Sequence, residues 1–115
     1  MSRSKFGNKR VDYDGYTFDS LMEMRRYQEL RLLEAAGQII HLTVHPKYCL
    51  IDGYRRRPSG EWIRAVYYIA DFEYVETDTC NRVIEDVKGS ETGLFKLKRK
   101  LFEQKYPYEL RLTQA

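Results

Sequence analysis

Apolar and polar positions fall in blocks along the chain, and the blocks predict a helix, a series of strands, a second helix and a last strand. Residues 1–10 are polar and basic without periodicity, which reads as a flexible basic arm. Asp14-Gly15 is a two-residue hairpin signal between Val11-Asp12-Tyr13 and Tyr16-Thr17-Phe18. Ser20-Leu21-Met22-Glu23 has the form of a capping box and Gly37 that of a C′ stop, so a helix is expected over about residues 20–36. Its apolar residues spread widely around the axis, which predicts burial on more than one side. Ile39 to Val44 and Lys47 to Ile51 read as strands separated by His45-Pro46, and Asp52-Gly53 with Pro58-Ser59-Gly60 marks a long basic loop. Trp62 to Val75 is the longest β-prone run, Glu76 to Asn81 is turn material, and Arg82 to Lys88 is a further strand. Ser90 or Thr92 suits the N-cap of a helix over about residues 93–105, closed by Pro107, and Tyr108 to Thr113 is a final strand. Residues 11–115 thus read as one α/β domain of order helix, three strands, helix, strand, with a mixed central sheet flanked by the helices.

Composition narrows the class. A chain of 115 residues with 43% hydrophobic and 32% charged residues is globular rather than disordered. No apolar run approaches the ~20 residues of a membrane span, and Met1 to Arg10 lacks a hydrophobic signal segment. With only Cys49 and Cys80, a disulfide framework is not expected. These features predict a cytoplasmic protein with no membrane partner. The net charge of +3 is too small to coat nucleic acid, but the basic residues cluster: Arg3, Lys5, Lys9 and Arg10, then Arg55 to Arg57, then Lys96, Lys98, Arg99 and Lys100. Such clusters suit local phosphate contacts and solvated faces alike. Ten tyrosines suit half-buried strands more than base stacking.

The chemistry concentrates in two strands. Period-two alternation puts Asp86 and Lys88 on one face. If the turn centres near Asp78-Thr79, antiparallel register sets Asp71 opposite Asp86, with Cβ atoms ~5 Å apart. Facing carboxylates repel and raise each other's pKa, which a divalent cation such as Mg²⁺ relieves. Lys88 beside them could orient an attacking water or neutralise developing charge. A structural salt bridge of Asp71 or Asp86 with Lys88 is the plainer account of the same spacing.

Asp71 followed by Asp86-Val87-Lys88 resembles the motif of the PD-(D/E)xK nuclease superfamily, and the helix, three strands, helix, strand order matches that superfamily's restriction-endonuclease-like core. The wider text is similar to a branch of small, uncharacterised phage and prophage proteins over about residues 5–113: Phe18-Asp19-Ser20, then Glu23 and Arg26-Tyr27, then Tyr68-Ile69-Ala70-Asp71-Phe72, Glu85-Asp86-Val87-Lys88-Gly89 and Lys98-Arg99-Lys100-Leu101-Phe102. Ala70 departs from the motif, standing where its name has proline. The resemblance implies a metal-dependent DNA endonuclease in a bacterial host cell, with structure-specific cutting of branched DNA in phage recombination or replication as the role suggested by analogy. It implies Mg²⁺ or Mn²⁺ held by Asp71 and Asp86, with the Val87 carbonyl and Glu23 as further ligands, and Lys88 as the catalytic lysine. Cutting both strands with one site per chain needs two protomers or two visits, so a homodimer is one expectation. The alternative is a catalytically inactive nucleic-acid-binding or assembly protein on the same fold.

Other residues have two readings each. Glu23 can equally close the capping box on Ser20. Lys98 falls inside the apolar stripe of the second helix, where it either snorkels or points at an anion such as a DNA phosphate or the active site. Arg55, Arg56 and Arg57 form either a DNA-contacting loop or a solvated hairpin tip. His41, His45 and Cys49 would align on a helix, but Pro46 and the β-branched residues oppose one, so a zinc site is not expected.

Overall fold

A computed structural model of the protein describes residues 9–114. Most of the arm expected at residues 1–10 therefore lies outside the described residues. Asp14 and Gly15 both take positive φ, 54° and 83°, as a type I′ turn requires, and join β1 (Val11–Tyr13) to β2 (Tyr16–Phe18).

Helix α1 (Leu21–Ala35) follows, capped by Ser20 Oγ, which accepts from the Glu23 amide at 3.1 Å. It stops in a Schellman motif: the Gly37 amide donates to Glu34 O at 3.0 Å and the Gln38 amide to Leu33 O at 2.9 Å. The expectation of burial on several sides is not met. Glu23, Tyr27 and Leu30 are buried, whereas Leu21, Met22 and Leu32 are exposed. One stripe is enough because the helix lies flat on one face of a sheet.

The long β-prone segments form a bent ribbon. β3 (Ile39–Val44) and β4 (Lys47–Ile51) are interrupted at His45-Pro46, and the short hairpin β5 (Tyr54–Arg55) and β6 (Trp62–Ile63) makes the tip. The chain returns as β7 (Val66–Ile69), breaks at Ala70-Asp71, and continues as β8 (Phe72–Glu76). The apparently continuous run Trp62 to Val75 is therefore three strands. The break at Ala70-Asp71 is set by its neighbour: β7 pairs with β4 and β8 with β3, so the bend at Pro46 on one strand is matched on the other. Two hydrogen bonds hold the bend, His45 N to Asp71 O at 2.9 Å and Ala70 N to Pro46 O at 3.0 Å.

After a turn, β9 (Arg82–Lys88) leads to α2 (Gly93–Lys105), capped by Thr92, and to β10 (Glu109–Gln114). The central sheet has the order β10-β9-β8-β3, with β9 antiparallel to β8 and parallel to β10. The protein is a small mixed α/β domain with core order α1-β3-β8-β9-α2-β10, the arm from β4 to β7 being an excursion after the first core strand.

Two apolar layers cover the sheet. Phe18, Tyr27, Leu30, Ile39, Phe72, Tyr74 and Val83 pack beneath α1. Tyr48, Leu50, Tyr68, Ala70, Ile84, Phe95, Phe102 and Leu110 pack beneath α2. Central strand β9 feeds both by alternation: Val83, Glu85 and Val87 face α1, while Ile84, Asp86 and Lys88 face α2. Cys49 and Cys80 are both free thiols. No helix among the described residues is long and apolar enough to cross a membrane.

Candidate active site

The ladder between β8 and β9 ends on the pair Phe72–Glu85, and the same register sets Asp71 against Asp86. Asp71 sits at the break before β8, outside regular strand geometry, and this frees it to reach the end of the sheet. Its amide donates to Asp86 Oδ1 at 3.1 Å, and its Oδ2 accepts from the Val87 amide at 2.7 Å. Asp86 is buried at 2% exposure and accepts a second hydrogen bond from the Tyr68 hydroxyl. The carboxylates meet at the C-terminal end of β9, where Asp71 lies beside the first turn of α1.

That first turn contributes Glu23. Sequence reasoning left two roles open for it, and the structure gives each carboxylate oxygen its own surroundings. Oε1 caps the helix by accepting from the Asp19 amide at 2.8 Å, one residue earlier than a standard capping box. Oε2 lies 3.6 Å from His45 Nε2, and the carboxyl lies beside that of Asp71 in the same cleft. Nothing in the sequence pattern singled out His45 as a neighbour of this site. It arrives through the strand break, where it takes φ 56°. Tyr68 was likewise unsignalled, although it lies on the inward face of β7 two residues before Ala70.

The electrostatics follow from burial. Removal from water pushes the Asp71 carboxyl up to about 8, and Glu23 beside it adds to the effect. Burial likewise pushes Asp86 up to about 7, helped by the charge of Asp71 and opposed by the Tyr68 hydrogen bond and by Lys88. Neither aspartate has an ion-pair partner within 4.0 Å among the described residues. The next residue back on β9 behaves in the opposite way. Glu85 is fully buried, yet Arg26 holds it through two hydrogen bonds of 2.6 and 3.0 Å, and Tyr74 donates a third at 2.6 Å. Burial opposes ionisation there too, but these donors win and keep the carboxyl below its usual range.

A cleft of about 280 Å³ opens above the aspartates, lined by Asp19, Ser20, Met22, Glu23, Asp71, Val87, Lys88 and Gly89. Asp86 does not line it. The available donors are carboxylate and carbonyl oxygens, the hard ligands that Mg²⁺ and Mn²⁺ take. This donor set, and the burial of Asp86 against the Asp71 carboxyl with no ion pair to either, fit a divalent cation. No group of three acidic, His or Cys side chains placed to hold a metal exists among the described residues, and backbone amides engage Asp71 Oδ2 and Asp86 Oδ1.

The basic candidates are spread out. The Lys88 ammonium rests 4.4 Å from the centre of the Phe95 ring, between the cleft and a second groove. Lys98 does not enter the carboxylate cleft. Its Nζ donates to Tyr67 O at 3.0 Å and lines the second groove beside Lys88, so it caps the free edge of β7. Arg55, Arg56 and Arg57 lie at the tip of the arm, beyond β4, and away from the aspartates. Arg55 stacks on Trp62 at 5.3 Å and Arg56 pairs with Glu61 at 2.9 Å.

No curated protein and no solved structure matches the chain. A family model does, over residues 3–115, and on that match the chain belongs to the family described as Protein of unknown function (DUF1064).

Proposed function

We propose that the protein is a metal-dependent DNA endonuclease of the PD-(D/E)xK type, with a restriction-endonuclease-like core. The observation that carries this reading is the facing pair of Asp86, buried on β9, and Asp71, half-buried at the break before β8, with no ion pair to either while Glu23 and Lys88 border the cleft that Asp71 lines. Such a pair destabilises a fold unless something uses it. A purely structural carboxylate would be expected to look like Glu85, with its guanidinium and phenol donors.

Asp71 and Asp86 would hold Mg²⁺ or Mn²⁺, assisted by Glu23 and the Val87 carbonyl. Such a cation, when bound, supplies Lewis acidity and lowers the pKa of a water. The chain's own residues do the rest. The Val87 and Asp71 amides fix the orientation of the two carboxylates. Ser20 and the first turn of α1 present the positive end of a helix dipole towards the cleft, which favours an approaching phosphate. Lys88 borders the cleft with an ammonium that can orient the attacking water and balance charge developing on phosphate oxygens.

The test is cleavage of labelled duplex, single-stranded, flapped and four-way-junction DNA in Mg²⁺ and in Mn²⁺, with wild type beside Asp86→Ala. Metal-dependent cutting by wild type alone supports the reading. DNA binding by both proteins with cutting by neither would put the inactive binding or assembly protein first. A single site per chain makes a homodimer the expected state for double-strand cutting, measurable by sedimentation with and without DNA.

A further inference from the structure

A second groove, of about 290 Å³, runs between the free edge of β7 and the start of α2, and it shares Lys88 with the carboxylate cleft. Its lining is Tyr67, Tyr68, Ile69, Lys88, Thr92, Leu94, Phe95 and Lys98. No acidic residue is among them, and two are lysines. A third ammonium, that of Lys47, sits 4.2 Å from the centre of the Tyr67 ring. Between these charges the surface is apolar and open: Tyr67 is 41% exposed, Ile69 58% and Leu94 64%.

Most exposed hydrophobic side chains stand alone and need no explanation. Here an aromatic ring and two aliphatic side chains adjoin, ringed by ammonium groups, at the rim of a candidate phosphodiester site. This pairing of stacking surface and positive charge is how proteins hold unpaired nucleotides: each free base offers a face to an apolar side chain while the backbone follows the charges. A duplex offers no free base faces, so it would gain only the charge contacts. The position of Lys98 inside an apolar helical stripe also finds its reason, since its head is drawn to the Tyr67 carbonyl at the groove wall.

We propose that this groove binds an unpaired stretch of the DNA strand next to the scissile phosphate, so that DNA carrying a single-stranded segment is the preferred substrate class. The proposal rests on the endonuclease reading for the word substrate, but the binding it predicts is measurable without cleavage.

The experiment is fluorescence anisotropy in EDTA with three labelled DNAs of equal length: oligo-dT, a blunt duplex and a duplex with a single-stranded tail. Wild type is expected to bind oligo-dT and the tailed duplex more tightly than the blunt duplex. Tyr67→Ala should weaken binding to the first two by about tenfold and leave the blunt duplex unchanged. Tyr67→Phe, which keeps the ring, should behave as wild type. Lys98→Gln should make the salt dependence of oligo-dT binding shallower by about 0.7 in log–log slope. Preference for the blunt duplex, an equal loss on all three DNAs, no loss in Tyr67→Ala, or no binding to any of them would overturn the proposal. Metal-dependent cutting of the tailed duplex that Asp86→Ala abolishes and Tyr67→Ala leaves at the wild-type rate would overturn the groove while leaving the endonuclease intact.

Discussion

Glu85 and Asp86 are consecutive residues on β9, both all but removed from solvent, and they are held in opposite ways. Glu85 faces α1 and meets Arg26 and Tyr74, so its charge is fully compensated. Asp86 faces the other way and meets a second carboxylate across the strand pair, with a tyrosine hydroxyl and a backbone amide as donors but no ion pair. The difference teaches how to tell a carboxylate that serves the fold from one that the fold tolerates. Burial alone does not separate them, but the sign of the neighbouring charge does.

That contrast can be broken by mutation. Asp86→Asn should lower metal-dependent cleavage by about 10³-fold, and Lys88→Met by about 10²-fold, with neither variant less stable to urea than wild type at about pH 8. Cleavage retained by Asp86→Asn would show that Asp86 is structural after all. Arg26→Ala should do the reverse to the fold, costing about 3–5 kcal/mol in urea unfolding because it strands a buried Glu85 charge. Unchanged stability in that variant would remove the contrast from the other side.

The pH dependence sharpens it further. The folded-state carboxyls of Asp71 and Asp86 lie near 8 and 7, above their unfolded values, so the folded chain holds the extra protons. Their contribution to stability is therefore favourable at low pH and is lost as pH rises from about 4 through about 8. In EDTA, Asp71→Asn should be more stable than wild type by about 2 kcal/mol at pH 8.5 and no more stable near pH 4. Saturating Mg²⁺ should raise the melting temperature of wild type and not of this variant. A wild type that gains stability relative to Asp71→Asn as pH rises would reverse the assigned sign. The smallest effect is expected for Ser20→Ala, a loss of about 1 kcal/mol from the helix cap, with the Mg²⁺ response kept. If that response vanished, Glu23 would owe its position to Ser20 rather than to its own bond with Asp19.

Much of the site was legible from local spacing. The turn after β8 fixes the register, and register alone sets Asp71 against Asp86; the hairpin at Asp14-Gly15, both helix caps and the last strand follow from equally local signals. What the pattern hid is tertiary. Residues 62–75 are uniformly β-prone, so nothing in their own text marks the break at Ala70-Asp71; it comes from Pro46 on the paired strand. That break brings His45 beside Glu23 and frees Asp71 from strict alternation. Apolar residues around α1 suggested burial on several sides because composition does not say how many neighbours a helix has. Lys98 showed the anomaly of a charge in an apolar stripe, but its target, a carbonyl on β7, depends on packing between distant segments.

The matched bend in the ribbon also separates two lengths. The core register is set by the turn after β8 and by the ladders of β3, β8 and β9, all on one side of His45-Pro46 and Ala70-Asp71. The arm beyond the bend has its own ladder and tip. Because β4 and β7 are packed under α2 through Tyr48, Leu50 and Tyr68, only the β5–β6 tip is free to vary in length. Adding or deleting paired residues there would change how far the tip reaches without sliding Asp71 past Asp86.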